Sequence, residues 1–149
     1  MRVVLDTDVF VGAFLSPQGP SAQILKLVLQ EAFELLLSAE IANEYALALR
    51  SKHVKNAHKL SDTQIIQAVE DLKSFATLVM PAYGAPATDP DRDKFFACAL
   101  AGGAQFVISG NTNGQRVNHY HGVELLSPVL VLALLSQLGV LQPTLGHAE

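Results

Sequence analysis

Three aspartates at alternate positions, Asp89, Asp91 and Asp93, stand directly ahead of an apolar run, Phe95-Phe96-Ala97-Cys98-Ala99-Leu100-Ala101. Asp93, Phe96, Ala97, Leu100 and Ala101 recur at helical spacing, so the acids sit at the mouth of a helix. One aspartate there is an ordinary cap, favoured by free N–H groups and the positive end of the dipole. Only one can be the cap, and three clustered carboxylates repel unless a cation lies among them. Oxygen-only ligands suit Mg²⁺ or Mn²⁺. Two readings stay open on this stretch alone: capping with solvated charge, or a metal site.

Further candidates lie elsewhere. Val3-Val4-Leu5 is wholly apolar and reads as a strand buried on both faces. Asp6 follows it, at a strand end, where open α/β sheets gather their ligands. Glu44 falls in the second turn of an expected helix, beside Tyr45 and near the apolar boundary. A surface glutamate paired one turn away is the simpler account of it. Lys52, His53, Lys55, His58 and Lys59 form the one basic cluster, either an RNA contact or a solvated junction. His119-Tyr120-His121 lacks a nearby third ligand and reads as a turn, not a zinc site. Gly102-Gly103 follows a helix, so it is a C-cap and not a phosphate loop.

These residues need a frame to hold them. Strands are expected at Val3–Leu5, Phe33–Leu37, Thr77–Met80, Gln105–Ile108 and Gly122–Leu126. Helices are expected between them: Val9–Leu15; one capped by Ser21 and running to about Glu31; one capped by Ser38 and running to Arg50; and one capped by Ser61 with Ile65, Ile66, Val69 and Leu72 inward. The acidic helix follows, then a last helix, Val129–Leu138, opened by Ser127-Pro128. Alternating strands and helices predict an α/β fold with a parallel sheet of about five strands and helices on both faces.

The chain has 149 residues, the size of one domain with a substantial core. Residues 1–140 are expected to form that domain, and residues 141–149, which lack periodicity, a disordered tail. A net charge of −4 supplies no overall basic field, which argues against a pure nucleic-acid binding module. The single cysteine, Cys98, lies among apolar helix residues and reads as buried filler in a reducing compartment. Met1 to Asp6 meets an acid too early for a signal peptide, and no apolar run reaches membrane-spanning length. A cytoplasmic protein without a membrane partner is expected.

The motifs together carry a family resemblance. Leu5-Asp6-Thr7-Asp8-Val9 resembles the opening of PIN domains, where a strand delivers an acid followed by Thr or Ser. Ser38-Ala39-Glu40-Ile41-Ala42-Asn43-Glu44-Tyr45 is similar to the second acidic element, and Asp89-Pro90-Asp91-Arg92-Asp93-Lys94-Phe95 to the third. Phe106-Val107-Ile108-Ser109-Gly110 resembles the strand that ends at the fourth. The resemblance spans Met1 to Leu138 and is closest to the toxin branch of toxin–antitoxin pairs, including VapC-type toxins. It implies a three-layer α/β/α fold and a metal-dependent endoribonuclease. Asp6, Glu44 and Asp93 would be catalytic, and Asp6, Asp93, Asp91 and Glu44 would hold Mg²⁺ or Mn²⁺. Thr7, Ser109 and Asn111 would support the site, with Lys52, Lys55 and Lys59 beside the RNA. A small antitoxin and a second copy of the chain are the implied protein partners. Asn111 and Asn113 depart from the pattern, because the family usually has acids there. An amide oxygen can ligate a hard cation but brings no charge. The alternative is a catalytically degenerate PIN fold kept for binding RNA or protein.

Overall fold

The computed structural model describes residues 1–81, 93–110, 119–120 and 122–139, with backbone alone at 93, 119 and 120. Asp89, Asp91, Asn111, Asn113 and the expected tail 141–149 lie outside the described residues. The elements are β1 (Arg2–Leu5), α1 (Thr7–Leu15), α2 (Pro20–Leu29), β2 (Glu34–Leu37), α3 (Ala39–Arg50), α4 (Lys52–His58), α5 (Asp62–Phe75), β3 (Ala76–Leu78), α6 (Asp93–Gly102), β4 (Phe106–Ile108), β5 (His119–Tyr120), β6 (Val123–Leu126) and α7 (Pro128–Gln137).

The sheet runs in the order β3-β2-β1-β4-β6-β5. Five strands are parallel, and β5 alone runs antiparallel, against β6. Helices cover both faces, giving the expected three-layer α/β/α architecture. β1 lies between β2 and β4, with Val3 beside Leu35 and Phe106, and Leu5 beside Ile108. Val3, Val4 and Leu5 have no exposed surface, nor do Leu35, Leu37, Val107 and Ile108. A wholly apolar run is what a strand covered on both faces requires.

Local signals set several helix starts. Ser38 caps α3 by accepting the Ile41 N–H at 3.2 Å. Ser61 caps α5 in a reciprocal box, with the Gln64 N–H donating to its hydroxyl and its own N–H donating to Gln64 Oε1. Ser127 caps α7, and Pro128 opens that helix.

Other details depart from expectation. α2 begins at Pro20 with Gly19 as its cap, so Ser21 lies inside the first turn. Proline has no N–H to satisfy and its φ is preset for a helix, which makes it the stronger start. Ile66 is 48 % exposed, because Ile65, Val69 and Leu72 already form the inward stripe of α5. In α6 the buried side chains are Phe95, Phe96, Cys98 and Ala99, while Leu100 faces outward. Cys98 is buried as expected, and that burial pushes its thiol up to about 12. The basic stretch forms a short helix, α4, and His119-Tyr120 pairs as a strand where a turn was expected.

α6 ends against the sheet at Gly102, followed by Gly103 at φ +73°. A β-carbon at 102 would lie 2.3 Å from Leu36 Cδ1 and 3.1 Å from Val79 Cγ2. Leu36 is only 1 % exposed and has little room to turn away. Gly102→Ala is therefore expected to destabilise the fold by roughly 1–3 kcal/mol, although alanine is the better helix former. Urea denaturation of both forms measures it. A variant as stable as the parent would show that Leu36 repacks freely.

Candidate functional site

The sheet delivers its polar residues to one edge. At the end of β1 the Asp6 N–H donates to the Ile108 carbonyl at 2.8 Å, so the pairing with β4 extends one residue past the strand. Asp6 then becomes the N-cap of α1 in an extended conformation. Its carboxylate accepts the Ser109 hydroxyl at 2.8 Å. Ser109 is fully buried directly after β4, and its own N–H donates to the Leu126 carbonyl of β6. Asp8 accepts the Gly110 N–H at 3.3 Å. A side chain at 110 would place its β-carbon 2.9 Å from Asp8 Oδ2, so glycine is what lets these two segments meet.

Glu44 comes to the same edge from α3. Thr7 Oγ1 donates to Glu44 Oε2. Lys94, in the first turn of α6, places its ammonium 2.7 Å from Glu44 Oε1. The side chains are 18 % exposed at Lys94 and 34 % at Glu44, so the pair is shielded from solvent but not sealed. Desolvation raises the Glu44 pKa, and the hydrogen bonds from Lys94 and Thr7 with the Lys94 charge outweigh it, leaving the carboxyl below its ordinary value. One residue on, Tyr45 is buried, stacks on Phe10 at 4.4 Å, and donates its hydroxyl to the Leu5 carbonyl at 2.5 Å. This anchor fixes α3 against β1 and sets where Glu44 stands. Burial, then the charge of Asp6, pushes the Tyr45 phenol well up, so it stays a donor.

Thus Asp6, Thr7, Glu44 and Ser109 meet at one edge, and Asp93 opens the helix that brings Lys94 there. Asp91 and Asn111 lie outside the described residues. Lys52 and Lys55 stand on α4, and Lys59 follows it in the left-handed conformation at φ +62°. Lys55 pairs with Asp62 at 2.6 Å, while Lys52 and Lys59 are exposed. His58 is a structural tie: its Nδ1 accepts the Leu60 N–H, and its Nε2 faces the Leu49 carbonyl at 2.8 Å.

Asp8, Tyr45 and Lys94 belong to this arrangement without having been singled out from the sequence. Asp8 lay within the first acidic motif, and the Lys94 signal was its place directly after Asp93.

The metal expectation does not hold. Among the described residues no group of three His, Cys, Asp or Glu side chains could hold a metal ion. This corrects the expectation of a Mg²⁺ or Mn²⁺ cofactor, and with it the reading of the chain as a Mg²⁺- or Mn²⁺-dependent endoribonuclease; of the four expected ligands, Asp91 and the side chain of Asp93 lie outside the described residues. The described carboxylates turn to donors of their own chain: Asp6 to Ser109, Asp8 to Gly110, and Glu44 to Thr7 and Lys94. The Lys94 ammonium already supplies the positive charge that Glu44 needs on leaving water.

The pair should make stability depend on acid pH. A carboxyl whose folded pKa is depressed stabilises above its unfolded value and loses that contribution as pH falls through the folded one. Lys94→Met is expected to cost roughly 1–2 kcal/mol at pH 7, between the values for exposed and buried pairs. The deficit should shrink below the ordinary glutamate range, where Glu44 protonates in both forms. Denaturation at a series of pH values tests this, and a deficit independent of pH would mean that Lys94 acts only through packing.

No curated protein matches the sequence. In structure the chain is similar to one in the crystal structure of VapBC2 from Rickettsia felis bound to a DNA fragment from their promoter. The TM-score is 0.56 at 14 % identity, over 85 % of this chain and 98 % of that one. At that identity the likeness is one of fold. Residues 2–113, which carry β1, α3, the start of α6, β4 and every carboxylate described at the edge, match the PIN domain, and the chain belongs to the PIN domain family.

Proposed function

We propose that this PIN domain works by binding other macromolecules, as the protein-partnered member of a toxin–antitoxin-like pair, and not by metal-dependent hydrolysis. The observation that carries this reading is the state of Glu44, held between the Lys94 ammonium and the Thr7 hydroxyl. A carboxylate neutralised by its own chain is a structural element of the edge. Asn111 and Asn113, where the resemblance leads one to expect acids, point the same way. The likeness in fold to VapBC2, seen with a promoter DNA fragment, supports a protein partner and a nucleic acid as the things bound. Among the described residues no helix is long and apolar enough to cross a membrane.

A second observation favours RNA as one ligand. Lys52 and Lys59 are exposed on and just beyond α4, in a chain whose net charge is −4. Such a local cluster holds phosphates by charge, and that attraction is screened by salt.

Full-length protein, single-stranded RNA and a fluorescence anisotropy assay over about 50 to 200 mM salt provide the test. Binding without cleavage is expected, whether or not Mg²⁺ or Mn²⁺ is added. Replacing Lys52, Lys55 and Lys59 by Gln should flatten the salt slope by about 1.4, roughly 0.7 for each of Lys52 and Lys59, since Lys55 is already committed to Asp62. An unchanged slope would place the RNA elsewhere. Metal-dependent cleavage by the parent that Glu44→Gln abolishes would overturn the binding reading itself.

A further inference from the structure

α4 is held at its C-terminal end by one histidine. His58 is the last residue of the helix, and its ring stands between two backbone groups of other segments. Its Nδ1 accepts the Leu60 N–H at 2.8 Å, and its Nε2 lies 2.8 Å from the Leu49 carbonyl. Leu49 is in the last turn of α3, where an α-helix leaves its carbonyls without an intrahelical partner. Leu60 packs against the core from just beyond α4. One ring thus joins the end of α3 to the turn between α4 and α5. Its two bonds demand one state of the ring. A nitrogen that accepts an N–H carries no proton, and one that meets a carbonyl must carry one. His58 is therefore neutral, with its proton on Nε2.

A proton added to this partly exposed ring can go only to Nδ1. It turns the acceptor into a donor facing the Leu60 N–H, so that bond is lost. The turn it holds is not relaxed. Lys59, between the two residues, sits at φ +62° and ψ +23°, a left-handed conformation that a side chain disfavours. α4 packs on α1 and α3. α3 brings Arg50 in its last turn, with Glu40 and Glu44 in its first half. α1 brings Asp8 alone, in its first turn, where it accepts the Gly110 N–H. α4 itself carries Lys52, His53 and Lys55, and Lys59 follows it. Asp62, which opens α5, is taken by Lys55 at 2.6 Å, and the other acids of α5, Glu70 and Asp71, lie further along that helix. A charged ring would therefore join a mainly positive group, with its natural counter-charge already engaged.

We propose that His58 is a pH-operated latch on the basic helix α4: neutral, it ties the α4–α5 turn to the end of α3, and protonated, it lets the turn go. The sign is set by the two bonds. Both hold above the range in which imidazoles take up a proton, and the Leu60 bond is lost as pH falls through that range. Release frees Lys59 from its left-handed conformation and adds a positive charge between Lys55 and Lys59 in the chain. In acid this basic stretch is therefore more positive and less fixed than at neutral pH. The latch stands whatever α4 binds, since it rests on the ring and its two backbone partners.

The test is NMR on the full, isotope-labelled chain at about pH 8 and about pH 5. At the higher pH the imidazole should show a proton on Nε2 alone, with a scalar coupling across the hydrogen bond between Nδ1 and the Leu60 amide nitrogen. At the lower pH that coupling should vanish and the Leu60 amide proton should move upfield. The Ile65 N–H, bonded to the Ser61 carbonyl at the start of α5, should stay in place. His58→Gln offers an acceptor and a donor but takes up no proton, so its Leu60 amide should not respond to pH in this range. A proton on Nδ1 at the higher pH would overturn the proposal. So would a Leu60 coupling that persists at the lower pH, or a Leu60 amide that titrates equally in His58→Gln.

Discussion

The structure depends on the complete burial of β1. Val3, Val4 and Leu5 have no exposed surface, so each backbone N–H and C=O there must find a partner inside the protein. Parallel neighbours on both sides supply them, and the demand continues past the strand. The Asp6 N–H reaches the Ile108 carbonyl, and the Leu5 carbonyl takes the Tyr45 hydroxyl. Tyr45 is itself buried against Phe10, so α1, α3 and β1 are locked together around one hydrogen-bonded stack. Everything at the sheet edge inherits its position from that stack.

The chemistry of the edge follows from its charge. Aspartates and a glutamate brought together at the margin of a low-dielectric core need positive charge or donors. An acidic edge can meet that need with a cation from solution. For Glu44 this chain meets it with Lys94, delivered by α6 within hydrogen-bonding distance. At Glu44 the difference between a carboxylate open to a cation and one neutralised internally therefore turns on a through-space contact between α3 and α6.

Much of the frame was legible because its causes are local. Ser38, Ser61 and Ser127 were readable as caps, since a cap acts on an N–H two or three residues away. The apolar runs in β1, β2, β4 and β6 were readable as buried strands, and their alternation with helices as a parallel sheet. The misreadings fall where two local signals compete or where packing decides. Pro20 overrode Ser21, the inward face of α6 turned to Phe95 and Cys98, and Ile66 was left in solvent because a neighbouring stripe filled the core. β5 is two residues long and exists through its pairing with β6, a contact that no pattern within it announces.

By itself the sequence determined the α/β class, the order of the strands and helices apart from α4 and β5, and the delivery of Asp6, Glu44 and the acidic helix toward the ends of strands. Those follow from periodicity, capping and turn chemistry, which act over a few residues. Tertiary structure alone decided that Thr7 and Lys94 close on Glu44, that Asp6 turns to Ser109, and that the described carboxylates assemble no metal site. Each of those contacts joins residues far apart in the chain. Sequence motifs specify which charges arrive at an edge, whereas only the packing of the helices that carry them decides which charge meets which.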